Sequence, residues 1–276
     1  MNIALISVRG GSVRLPRKNI LPMCGHPLLA WTVTQAFYSK EIDFVLFTTD
    51  DQEMYWTFEK YVPKENKKPF HMHLRPVYDN NTSVGRPYLE VVRDIGIKKY
   101  NFKDDDVLVS LFATSPQRHP HDIDNLIRAF KNSKYEEMAF YAPDRECHVF
   151  KNSREMSHQY GQVFEVEPVI SNKFWDYSIG ATGTSISTVG HTVPIWEEQG
   201  EKCGWSDRYL DEQMKDLKKK GDELKERKAG AYSVYPYQAF ECDYHHWFKV
   251  VENIMEEYIL KGRGIGLYRD YFEGHI

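Results

Sequence analysis

Apolar and polar positions along the chain come in alternating blocks. Ile3 to Val8 is a short apolar run that stops abruptly at Arg9-Gly10-Gly11-Ser12, and such a run bounded by glycines predicts a buried strand. From Pro27 onward, Leu28, Leu29, Trp31, Thr32, Ala36 and Phe37 recur at helical spacing, with the proline suited to a first turn. Phe44 to Phe47 predicts the next strand; it ends in Thr48-Thr49-Asp50-Asp51, where an acid can cap a following helix. His71 to Leu74 predicts a shorter strand closing at Arg75-Pro76, and Val107 to Phe112 another closing at Ala113-Thr114-Ser115-Pro116. A helix is predicted from about Pro120, with Ile123, Leu126, Ile127 and Phe130 on one face.

Strand, polar loop and helix in repetition predict a doubly wound, mostly parallel α/β sheet. Ligands of such sheets bind outside the carboxyl ends of the strands, which is where every polar cluster just named falls. Past about residue 145 the pattern loosens. Gln162–Val166 and Ser185–Val193 are β-like and flank a polar stretch at Lys151–Tyr160. Ser206 to Lys228 is a highly charged helical segment containing Lys218-Lys219-Lys220, read as a solvated face rather than a nucleic-acid surface. Tyr232 to Tyr235 resumes a strand, and Trp247 to Ile259 predicts the last helix.

Composition narrows the class. At 276 residues the chain predicts one domain, 1–276, with 146–200 as an insertion and 206–228 as a charged helical insertion. A hydrophobic share of 41% excludes disorder, and no stretch approaches the roughly 20 apolar residues of a membrane helix. Lys and Arg number 36 against 40 Asp and Glu, so the net charge of −4 argues against nucleic acid or an anionic membrane as partner. Cys24, Cys147, Cys203 and Cys242 form no CxxC pair, which predicts reduced thiols and a cytoplasmic protein.

The richest chemistry lies in Arg9-Gly10-Gly11-Ser12-Val13-Arg14-Leu15-Pro16-Arg17-Lys18-Asn19, directly after the first strand. Paired glycines permit a tight turn and a close approach of backbone N–H groups to a ligand. Arg9, Arg14, Arg17 and Lys18 add four cations in a chain that is acidic overall. That combination predicts an anion receptor suited to a polyphosphate. It is neither a Walker loop nor a GxGxxG fingerprint.

The pattern Arg9-x-x-Ser12-x-Arg14-x-Pro16-x-Lys18 resembles the signature of the sugar-acid cytidylyltransferases. It is most similar to the acylneuraminate (CMP-sialic acid synthetase-like) branch, which is related to the Kdo cytidylyltransferases. Gly25-x-Pro27-Leu28-Leu29-Ala30-Trp31-Thr32, Thr48-Thr49-Asp50-Asp51, Leu74-Arg75-Pro76, Thr114-Ser115-Pro116 and Phe240-Glu241-Cys242-Asp243 follow in the order of that branch. The resemblance covers about residues 1–145 and 230–260. It implies a three-layer, nucleotide-diphospho-sugar-transferase-like (Rossmann-like) fold with a small dimerisation extension, the insertion 146–200 serving dimerisation or the acceptor side. It also implies transfer of CMP from CTP to a 2-keto sugar acid with release of pyrophosphate, a Mg²⁺ cofactor and a homodimer.

Site roles are implied likewise. Arg9, Gly10, Gly11, Ser12, Arg14 and Lys18 would hold the triphosphate, with Arg9 and Lys18 on the departing pyrophosphate, and Asn19 and Arg75 would recognise cytidine. Thr114, Ser115 and Arg118 would face the acceptor, Arg118 meeting its carboxylate. Glu241 and Asp243 would hold the metal, because residues i and i+2 of an extended segment point to one side. Three departures stand out: Val13 replaces a lysine, Phe112 replaces a sugar-side glutamine, and Ile179–Gly183 is a weak counterpart of an Asn-Gly. An aromatic cannot replace an amide's donors and acceptor, so N-acetylneuraminate is not expected to be the best acceptor. Two other readings are a glycosyltransferase using Asp122-Ile123-Asp124 and a silent nucleotide-binding relative. His245-His246 and His119-Pro120-His121 are read as helix-start residues, and the aromatics Trp175, Tyr177, Trp196 and Trp205 as an association surface.

Overall fold

In the computed structural model, which describes residues 1–65, 67–78, 85–141, 163–166, 181–203 and 229–263, the opening strand lies between two apolar layers. The strands are β1 (Asn2–Val8), β2 (Pro22–Met23), β3 (His26–Pro27), β4 (Phe44–Thr49), β5 (Phe70–Leu74), β6 (Val107–Leu111), β7 (Glu137–Tyr141), β8 (Val163–Val166), β9 (Ala181–Thr188) and β10 (Ala229–Ser233). Eight of them form one sheet in the order β5-β4-β1-β6-β9-β7-β10-β8, and β2 pairs with β3 apart from it.

The helices are α1 (Leu28–Tyr38), α2 (Gln52–Tyr61), α3 (Gly85–Glu90), α4 (Lys98–Tyr100), α5 (Pro120–Lys131), α6 (Val189–Cys203) and α7 (His245–Ile254). A π-helical stretch, Val91–Ile97, joins α3 to α4, and another, Met255–Arg263, extends α7. Side chains alternate across a strand, so β1 feeds two cores. Ala4, Ile6 and Val8 pack with α1, α2, α5 and α7, whereas Ile3 and Leu5 pack with Tyr88, Leu89, Val91, Val92, Val189 and Val193. This is the expected three-layer α/β arrangement, and burial on both faces explains the unbroken apolar runs.

The chain runs β1, β4, β5 toward one edge and then returns to place β6 on the other side of β1. The connectivity therefore reverses between β1 and β6, the place where ligands of such sheets bind. β5, β4, β1 and β6 are parallel, in a register that matches Val8 with Thr49 and Thr49 with Leu74. Arg9, Asp50 and Arg75 consequently leave three adjacent strands at one level.

Several expectations are corrected. β9 runs antiparallel between β6 and β7, so the sheet is less uniform than the sequence pattern suggests. The β-like stretch Ser185–Val193 divides at Thr188. Its hydroxyl accepts the His191 N–H at 3.2 Å, and the Val189 and Gly190 N–H groups reach the Asp106 and Asp104 carbonyls, both at 2.9 Å, so a helix starts there. β10 begins before the expected stretch Tyr232–Tyr235 and ends within it at Ser233, and the last helix begins at His245 rather than Trp247. β7 and the α3–α4 region were not anticipated. Trp196, expected on an association surface, is half-buried and packs edge-to-face on Tyr88 at 5.4 Å, against the second core. Segments 151–160 and 206–228, most of 146–200, and Trp175, Tyr177 and Trp205 lie outside the described residues. No helix among the described residues is long and apolar enough to cross a membrane.

Candidate active site

At the end of β1 the chain turns sharply, with the Ser12 N–H donating to the Gly10 carbonyl at 3.0 Å. Gly10 leaves no room for a side chain: a Cβ there would lie 2.6 Å from Asp51 Oδ2. Its N–H donates to Asp50 Oδ1 at 2.7 Å. Arg17 adopts the left-handed conformation (φ 57) and pairs with Asp51 at 2.5 Å and with Glu53. Asp51 itself caps α2, accepting the Glu53 and Met54 N–H groups at 3.0 Å each. The N–H bonds and the Arg17 pair outweigh burial and hold the Asp51 carboxyl below its usual pKa. Asn19 is buried and donates to the Arg9 carbonyl at 3.3 Å. Arg9, Gly11, Val13 and Arg14 are exposed, and Ser12 is half-buried.

Arg75, expected to recognise cytidine, is buried at the base of the site. Its side chain is only 4% exposed, Nη2 reaches the Val8 carbonyl at 3.3 Å, and Asp50 lies 3.5 Å away. Its Nε and Nη1 are buried and have no hydrogen-bond partner among the described residues. Burial lowers its pKa, opposed by Asp50 and Glu90. Native proteins rarely leave buried donors unmatched, and these belong to a residue that lines a cleft of about 360 Å³, a size in the range of small-molecule sites. Arg9, Gly10, Gly11, Lys18, Asn19, Asp50 and Asp51 border the cleft on one side. Val77, Tyr78, Pro87, Tyr88, Phe112, Ala113 and Thr114 form its other walls. The wall of Tyr78, Pro87 and Tyr88 had no signal along the chain, because those residues carry no motif.

Glu241 and Asp243 close the far side of the cationic loop. The expected extended segment is in fact a tight turn: the Asp243 N–H donates to the Glu241 carbonyl at 2.9 Å, and the Cys242 N–H to the Thr114 carbonyl at 2.8 Å. Asp243 bridges two cations, Lys18 Nζ at 2.5 Å and Arg14 Nη2 at 2.6 Å. Arg14 also lies over the Tyr244 ring, 5.4 Å from its centroid. Burial, then the charge of Asp243, push the Glu241 carboxyl above its usual range, while Lys18, Arg14 and Arg118 oppose the shift. A divalent cation would favour the ionised form of both carboxylates. Among the described residues no group of three His, Cys, Asp or Glu converges on one point. Mg²⁺, however, commonly takes one or two carboxylates and completes its shell with substrate phosphates and water. The donor set fits that habit.

On the acceptor side, Thr114 borders the cleft and Ser115 is buried, its Oγ without a partner among the described residues. Gly183, in the left-handed region (φ +47), lets β9 pass close to this turn; a Cβ there would lie 2.6 Å from Ser115 Oγ and 2.9 Å from Phe112 Cβ. Arg118 is placed differently from expectation. It is 2% exposed and donates to Gln35 Oε1 (2.7 Å), Thr184 Oγ1 (2.9 Å), Thr32 Oγ1 (2.9 Å) and the Phe112 carbonyl (3.0 Å). Its guanidinium therefore ties β9, α1 and the turn after β6 together under the cleft floor, instead of reaching for an acceptor carboxylate.

Asp122 and Asp124 do not form a sugar-nucleotide motif either. Asp122 accepts the His119 N–H at 2.8 Å and the Gln238 amide at 2.9 Å, while Asp124 accepts the Ser39 hydroxyl at 2.5 Å and the Glu41 N–H at 3.0 Å. Both are buried structural carboxylates. The histidine His119 precedes α5 and stacks on His121 at 5.0 Å.

Comparison with known proteins agrees with this geometry. The family described as "Cytidylyltransferase" matches residues 3–172. A pseudaminic acid cytidylyltransferase of Campylobacter jejuni is 34% identical over 94 residues, 33% of this chain and 39% of that protein. The N-acylneuraminate cytidylyltransferase A of Danio rerio is 27% identical over 133 residues, 48% of this chain and 28% of that protein. The chain thus spans less than half the length of the curated relatives it matches. Among solved structures, a CMP:2-keto-3-deoxy-manno-octonic acid synthetase complexed with CTP superposes over 93% of this chain and 98% of its own, with a TM-score of 0.58 at 14% identity. That likeness is one of fold. With the family's pattern extending over more than half of its residues, the chain belongs to the cytidylyltransferase family.

Proposed function

We propose that this protein transfers CMP from CTP to a nonulosonic acid or a similar 2-keto sugar acid, releasing pyrophosphate. The observation that carries the reading is the buried guanidinium of Arg75, a residue lining the cleft beside the cationic loop, whose Nε and Nη1 have no hydrogen-bond partner among the described residues. Arg9, Gly10, Gly11, Ser12, Arg14 and Lys18 bind the triphosphate. Asn19 and Arg75 hold the cytidine, whose flat ring suits the Tyr78 and Tyr88 walls. The acceptor hydroxyl attacks the α-phosphorus as the bond to the β-phosphate oxygen breaks. Charge gathers on the pyrophosphate, where Lys18 and Arg9 offset it; phosphoryl transfer of this kind depends mainly on positioning and charge neutralisation.

Glu241 and Asp243 would hold Mg²⁺. When bound, that ion supplies charge neutralisation at phosphate oxygens. Thr114 and Ser115 orient the acceptor beside Phe112. An aromatic wall in place of an amide favours an acceptor with fewer hydroxyls or more alkyl groups there than N-acetylneuraminate. The protein works as a homodimer in the cytoplasm. Pyrophosphate release from CTP with a panel of sugar acids tests this reading. Turnover with a nonulosonic acid other than N-acetylneuraminate is expected, faster than with N-acetylneuraminate itself; no turnover with any acid would refute it.

A further inference from the structure

Two of the three cations that the proposed site offers to phosphate are already engaged. Lys18 Nζ and Arg14 Nη2 sit 2.5 and 2.6 Å from the two oxygens of Asp243, which is itself a proposed metal ligand. A triphosphate arriving at Lys18 would meet that carboxylate as a like charge at hydrogen-bond range. The backbone under Asp243 is fixed, because the 241–243 turn is tied to itself and to Thr114. The side chain is the part free to change partners. It is one-fifth exposed, and Arg14 is about half exposed with the Tyr244 ring beneath it.

Resting on the function proposed above, we infer that Asp243 is an internal anion of the phosphate site. It keeps Lys18 and Arg14 in place while the site is empty, and it releases both when a divalent cation takes its carboxylate. A divalent cation held by Asp243 and Glu241 would thus free Lys18 and Arg14 of that competitor and would place positive charge where a negative one stood. Nucleotide and metal are consequently coupled through one side chain, and such coupling is reciprocal. Glu241, which pairs with neither cation, is a partner for the metal and not a competitor for the loop.

Two titrations by calorimetry separate these roles. With CTP in excess EDTA, Asp243→Asn should bind about tenfold more tightly than wild type, since charge-assisted pairs are the strong ones, whereas Glu241→Gln should stay within about twofold. With Mg²⁺ alone and no nucleotide, Lys18→Met should bind the ion several-fold more tightly than wild type, because Asp243 loses its holder. Thermal melts verify that each variant is folded, and the Lys18→Met arm stands even if Asp243→Asn does not fold. Equal or weaker metal-free CTP binding by Asp243→Asn, or unchanged Mg²⁺ binding by Lys18→Met, overturns the inference. A wild-type protein that binds no CTP with or without Mg²⁺ overturns the nucleotide site itself.

Discussion

The space that a side chain on Gly10 would need is occupied by Asp51, whose Oδ2 lies 2.6 Å and whose Cβ lies 3.1 Å from where that side chain's Cβ would stand. Asp51 cannot retreat cheaply. It caps α2 through two N–H groups, pairs with Arg17, and its own N–H donates to Thr49 Oγ1 at 3.2 Å. Replacing Gly10 by alanine should therefore cost about 1–3 kcal/mol of stability through overpacking and shift the loop enough to weaken CTP binding. Urea denaturation and CTP titration of Gly10→Ala check both effects; an unaltered midpoint would show that the turn can yield.

Lys18 carries the sharpest prediction about rate. With 13% of its side chain exposed, it is a cation fixed in place before the reaction begins. If it stabilises the departing pyrophosphate, Lys18→Ala should lower kcat by about 10²–10³-fold, the usual consequence of losing one preorganised stabilising group. Circular dichroism should show the fold intact. A kcat within a few-fold of wild type would move the leaving-group site elsewhere.

Arg118 predicts a structural rather than a recognition defect. Arg118→Met would strip a donor from Gln35, Thr32, Thr184 and the Phe112 carbonyl at once. Buried groups left unpaired typically cost about 1–3 kcal/mol each, and partial relaxation should bring the total to about 2–5 kcal/mol, read from denaturant midpoints. Acceptor KM should change no more than other kinetic constants, which a carboxylate-binding arginine would not satisfy.

Lys68 gives a pH signature. Its ammonium donates to the Ala36 and Ser39 carbonyls at the end of α1, at 3.1 and 2.6 Å, and burial lowers its pKa from 10.5 to about 8, against the pull of Asp124 and Asp43. The folded state thus releases its proton before the unfolded chain does. The penalty for burying the charge is fully present below about pH 8 and relieved as pH rises from there toward 10.5. Relative to Lys68→Met, wild-type stability should climb across that window. Parallel curves for the two proteins would exclude the effect.

Much of the nucleotide half was legible because strand, turn and cations lie next to one another in the chain. The Ile3–Val8 run, its glycine turn and the capping acid at Asp51 are local features, and local physics placed them. The rest depends on distant partners. Arg118 looked available to a ligand because Thr32, Gln35 and Thr184, which absorb it, come from remote parts of the chain. Glu241 and Asp243 looked extended, yet hydrogen bonds within the turn and to Thr114 fold that segment back. β9 was misread at its end because a buried strand followed by an amphipathic helix gives one continuous half-apolar stretch, and only Thr188 marks the break.

The matched register of β1, β4 and β5 has a consequence for how such a protein can diversify. Arg9, Asp50 and Arg75 are spaced by the sheet's own ladder, and a one-residue slip would turn each of them to the opposite face. That half of the molecule can only be inherited whole. The Phe112 side chain lies beyond the ladder that joins those three strands, so a change there could redirect the proposed acceptor side while the proposed nucleotide grip stays as it was, whereas Gly183 beside it has no room for a side chain.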